Sequence, residues 1–115
     1  MAGGISLHAV DVATGRPAEG LRAEIWRIAP DRVLLADGLL GADGVLPHAV
    51  VKGAGVTAGE YEVLFHLGEF YAAAGERDTN FLTVAPFRFA IRNVNEHFHL
   101  PMKFTQWGFC LFRGA

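Results

Sequence analysis

A single cysteine, Cys110, stands among 115 residues, so no disulfide can form within the chain. Positive charge is also sparse. Ten Lys and Arg face twelve Asp and Glu with no basic cluster, and the formal net charge of −2 gives none of the footprint that a phosphate backbone requires. Nucleic acid is therefore not an expected partner. No apolar run approaches the ~20 residues that cross a bilayer as a helix, so no membrane role is expected. The opening MAGGISLHAV lacks the basic start and apolar core of an export signal, and the expected location is the cytoplasm.

What is present is apolar sequence in short pieces. Hydrophobic residues make up 51% and charged ones 19%, enough to fill a core and far from the composition of disordered chains. The length predicts a single domain over 1–115, with spare apolar surface available for self-association.

The apolar segments are rich in Val, Ile, Phe and Trp and are punctuated by Gly, Asp and Pro, which is how strands and turns read. Eight strands are predicted, over 5–13, 21–29, 32–40, 46–53, 61–68, 84–92, 97–103 and 107–113. The fourth is a short edge strand on account of Pro47, and Thr14-Gly15-Arg16-Pro17 and Ala42-Asp43-Gly44 read as turns. Three alanines between an aromatic pair and a glycine predict the one helix over 69–77. Such regular strand spacing implies an all-β, eight-stranded, two-sheet sandwich with one short helix.

Side chains alternate along a strand, so His97 and His99 share one face of a sheet. If His8 faces the same way, three imidazoles converge. Imidazole can take a proton from water and return it to a leaving nitrogen near neutral pH, which is what a hydrolase needs. A lone strand histidine more often packs with one nitrogen hydrogen-bonded, so spacing alone decides nothing. Two imidazoles on one face can also bind Zn²⁺, but further ligands are not marked and no metal or other cofactor is expected. Cys110 beside a histidine would make a nucleophilic pair, although a cysteine in so aromatic a strand is more often an inert core residue. Asp11, three residues after His8, falls on the opposite face of an ideal strand and is given only a supporting role.

Three stretches, SLHAVDVATGRPAEGL, YEVLFHLGEFYAA and HFHLPMKFTQWGFCLFRGA, resemble the transthyretin-like family, and most closely its hydroxyisourate-hydrolysing branch. Family signatures T-H-V-L-D…G-x-P-A, H-Y-H-x-P and a closing Y-R-G-S correspond in order and spacing, nearly from end to end. The resemblance implies a homotetramer, a dimer of dimers, whose active sites open on a channel between dimers. It implies that water attacks a ring amide of 5-hydroxyisourate, a small heterocycle. By the same carry-over His8 and His99 are catalytic, and Val45, His97, Phe112, Arg113, Gly114 and Ala115 line the substrate site.

Three positions depart from the pattern. The family's arginine after the Asp-Gly turn is Val45 here, the terminal Tyr is Phe112 and the terminal Ser is Ala115. Each change removes a polar head. An unpaired buried donor costs ~1–3 kcal/mol, so a site stripped of donors suits a less polar ring edge, such as that of an N-methylated hydroxyisourate. Two other readings remain open: ordinary 5-hydroxyisourate hydrolysis with Arg92, Arg88 or Lys103 replacing the missing guanidinium, and a non-catalytic paralogue that only binds small ligands.

Overall fold

The computed structural model describes residues 2–75 and 81–114. Along β1 (Ile5–Asp11) Ile5, Leu7 and Ala9 are buried, and along β7 (Phe98–Phe104) so are the even-numbered residues. The two strands run parallel in register, Ile5 opposite Phe98 through Asp11 opposite Phe104, so their apolar sides face the core together. β2 (Arg16–Pro17) flanks β1, and β8 (Phe109–Leu111) flanks β7, giving a first sheet ordered β2-β1-β7-β8. The second sheet is ordered β4-β3-β5-β6, from β3 (Arg22–Ala29), β4 (Val33–Leu39), β5 (Gly59–Phe65) and β6 (Ala85–Ile91).

Ile25, Tyr61, Val63, Phe65 and Ile91 of the second sheet join Leu7, Leu100 and Phe104 of the first in one buried cluster. Full burial of each such side chain is worth about 1.5–3 kcal/mol. The helix α1 (Leu67–Ala73) follows β5, and its Tyr71 and Phe70 meet the Phe104 ring edge-on.

The predicted eight-stranded sandwich is found, with two local corrections. Residues 46–53 hold a 3₁₀ turn, Ala49–Lys52, instead of an edge strand. Leu46 and Val50 are the buried pair there, four residues apart, which is helical spacing. His48 Nδ1 accepts the Val50 N–H at 3.0 Å, and Gly53 closes the turn at φ 99°. The eighth strand is instead the two-residue β2, inside what the sequence marks as a turn.

The helix begins two residues earlier than predicted because Leu67 and Tyr71 supply its buried side, and the chain turns away at Gly75 with φ 87°. Glu76 and Arg77, the predicted end of that helix, lie outside the described residues.

Candidate active site

The odd-numbered residues of β7 and the even-numbered ones of β1 share the outer face of the first sheet. Register places Ser6 opposite His99 and His8 opposite Pro101, with His97 just before β7. All three predicted imidazoles therefore stand on one face.

Beyond β1, the Asp-Gly turn fills the place that β2 leaves empty. The Ala9 N–H donates to Gly44 O at 3.0 Å and the Leu46 N–H to Leu7 O at 3.2 Å, so Val45 pairs with His8 as a short bridge. Gly44 has φ 78°, and a Cβ there would lie 2.6 Å from Ala9 O, so only glycine lets the turn approach so closely. At the other edge the Gly114 N–H donates to His99 O at 2.7 Å. A Cβ on Gly114 would sit 3.0 Å from His99 Cδ2 and 3.1 Å from Pro101, so this glycine sets the room around the His99 ring.

Ser6, which the sequence reading passed over, ties the histidines together. Its Oγ lies 2.8 Å from His97 Nε2 and 2.7 Å from His99 Nδ1, and His97 Nδ1 is 2.5 Å from Gly3 O. The available signal was the spacing Ser6-x-His8, which puts a hydroxyl on the imidazole face; only the parallel register shows it opposite His99.

Burial pushes the His99 imidazole below its ordinary pKa, and the nearby His8 and His97 push the same way. A histidine held neutral can accept a proton from water. Among the described residues no group of three or more His, Cys, Asp or Glu side chains is arranged to hold a metal ion.

Other candidates separate by face. Continuing the β7–β8 register from the Met102–Leu111 pair sets exposed Phe112 opposite Pro101, on the same imidazole face as His8 and Val45 but across β7 from them. Arg113 alternates to the other side. Its guanidinium stacks 4.5 Å over the Phe98 ring and donates to Glu96 Oε1 and His97 O, so it is not aimed at the imidazoles. Ala115 lies outside the described residues.

Of the cations considered as stand-ins for the missing arginine, Arg88 pairs with Glu62 on the outer face of the second sheet. Arg92 lines a hollow of about 630 Å³ with Pro30, Gly59 and Glu60, which includes none of the three histidines. Lys103 does share the imidazole face. Cys110 is exposed rather than buried, opposite Lys103. That is four residues along β7 from His99, about 13 Å, too far for a Cys–His99 pair. Asp11 points to the core side, with Tyr71 donating to Oδ2 at 3.5 Å, as strand alternation from His8 requires.

Two four-stranded sheets, a short helix after β5 and a central parallel β1–β7 pair with imidazoles outside define a transthyretin-like sandwich. The chain belongs to the HIUase/Transthyretin family, which matches it over residues 5–114. It is 34% identical to 5-hydroxyisourate hydrolase 2 of Rhizobium meliloti (strain 1021), over 98% of this chain and 97% of that one. Among solved structures, 5-hydroxyisourate hydrolase of Klebsiella pneumoniae is 31% identical with TM-score 0.83, each chain covered completely. An (S)-allantoin synthase is 32% identical with TM-score 0.88; the match covers 99% of this chain but only 44% of the synthase's length.

Proposed function

We propose that this protein opens a cyclic amide of a 5-hydroxyisourate-like, purine-derived ring by histidine-activated water. The observation that carries this reading is His99, an imidazole with lowered basicity whose Nδ1 is engaged by Ser6, with His8 on the adjoining strand of the same face. His99 is the base that takes the water proton, and His8 returns a proton to the leaving nitrogen. Full-length likeness to chains named 5-hydroxyisourate hydrolase supports the reaction class.

The preferred ring is N-alkylated. Val45 beside His8 and Phe112 across Pro101 give the site apolar walls where a polar ring edge would want donors, and Arg113 is turned toward Glu96 and Phe98. The imidazole face of one chain is open, so we propose that it works inside a cytoplasmic homotetramer, a dimer of dimers, whose channel encloses the ring and excludes bulk water.

Decay of freshly generated 5-hydroxyisourate and of its N-methylated analogue, followed by ultraviolet absorbance with and without protein, tests the reading. Both rings open slowly unaided, which supplies the baseline. The expected result is acceleration of both, with higher kcat/KM for the methylated ring. Equal or reversed preference rejects the alkylated specificity, and no acceleration of either ring rejects the hydrolase.

A further inference from the structure

A histidine ring offers a lone pair on one nitrogen only when its hydrogen sits on the other, and what each nitrogen faces decides the matter. Here the decision starts at the backbone of Gly3. The chain passes so close to the start of β7 that a Cβ on Gly3 would lie 2.2 Å from Glu96 O. The Gly3 N–H donates to Val94 O at 2.7 Å, and this anchored approach holds Gly3 O 2.5 Å from His97 Nδ1. A carbonyl can only accept, so His97 Nδ1 carries the hydrogen. In the neutral ring Nε2 is then an acceptor, and Ser6 Oγ, 2.8 Å away, donates to it. With its one hydrogen directed there, Ser6 Oγ meets His99 Nδ1 at 2.7 Å as an acceptor. The His99 hydrogen is therefore on Nδ1, and Nε2 keeps its lone pair.

We infer that Gly3 O, His97 and Ser6 form a one-way hydrogen-bond chain that fixes His99 in its Nδ1–H tautomer, making Ser6 and His97 positioning residues for a base at His99 Nε2. The catalytic consequence rests on the proposed hydrolysis, whereas the tautomer does not. When Nε2 takes a proton from water, the imidazolium still donates from Nδ1 to Ser6 Oγ. No member of the chain has to turn, and the new positive charge points along a line of dipoles that ends on a carbonyl oxygen.

The test is imidazole ¹⁵N NMR of the full chain at pH 8, where the two nitrogen shifts of each ring report its tautomer, combined with steady-state ring opening. The expected spectrum has His97 and His99 both as Nδ1–H. Ser6→Ala removes the acceptor, so His99 shifts toward the Nε2–H form and kcat falls by at least about tenfold while KM changes little. Ser6→Thr keeps the hydroxyl and restores both. His99 found as Nε2–H in the unsubstituted protein, or unchanged in Ser6→Ala, overturns the inference. If the tautomers are as inferred but neither ring opens faster with protein, the hydrolysis reading falls and the hydrogen-bond chain stands.

Discussion

On the outer face of the second sheet, His66 Nε2 lies 2.5 Å from Glu24 Oε2, and Glu24 also accepts from Trp26 Nε1 at 3.0 Å. Arg22 reaches Glu24, Asp37 and Glu69 in turn, so that face is laced by carboxylates and cations. On the outer face of the first sheet, His99 and His97 have a serine hydroxyl and a backbone carbonyl as partners. The same residue type thus serves two ends. A carboxylate partner ties one imidazole into a network of ion pairs and commits it to structure, whereas burial, with His8 and His97 nearby, favours the neutral His99 ring that can act as a base.

Exchanging each histidine for glutamine, which keeps a hydrogen-bonding head, tests this contrast most directly. His99→Gln is expected to lower ring-opening turnover by about 10²–10⁴-fold. His66→Gln is expected to leave turnover within about twofold and to lower stability by roughly 1 kcal/mol. Stopped-flow decay and urea unfolding on both variants measure this, and equal loss of turnover would erase the distinction between the faces.

Acid separates the faces further. His99 is depressed from its ordinary value of 6.5, so the folded state binds fewer protons there than the unfolded chain. Its contribution to stability is complete above 6.5 and is lost as pH falls toward the lowered folded value. Turnover should accordingly persist as pH drops through 6.5 and fail only below it; an acid limb centred at or above 6.5 contradicts this.

Burial alone would raise the Glu24 carboxyl, but hydrogen bonds from His66 and Trp26, with the charges of His66 and Arg22, outweigh it and hold it below 4.5. The stability Glu24 contributes is present above 4.5 and is lost as pH falls through its lowered folded value. Glu24→Gln should cost about 1–3 kcal/mol in urea unfolding at pH 7 without changing turnover. The smallest change is expected at the rim of the same face. Arg88, whose side chain is 70% exposed in its pair with Glu62, should leave the urea midpoint unmoved when replaced by alanine.

The sequence was most informative where periodicity is local. Alternation in HFHLPMK put His97 and His99 on one face, and the burial pattern of β7 agrees, with Phe98, Leu100 and Met102 turned to the core. It misled at 46–53, where buried residues four apart were set among apolar neighbours that also suit a strand. Ser6 was invisible as a site residue because a serine on a strand is commonplace until the opposite strand and its register are known. Arg113 was drawn toward the site by the likeness of the closing F-R-G-A to Y-R-G-S, although its own alternation sends it to Phe98 on the other side.

The parallel pairing of β1 with β7 reaches beyond geometry, because Ser6 meets its two imidazoles across 91 and 93 positions of sequence. Parallel neighbours cannot be joined by a tight hairpin, and closing so long a loop costs entropy before any contact repays it. No contiguous fragment can therefore preassemble the pairing: the two ends must come together first. During refolding, formation of the Ser6–His99 hydrogen bond would thus time the moment at which the chain has closed on itself, a clock set by topology rather than by local structure.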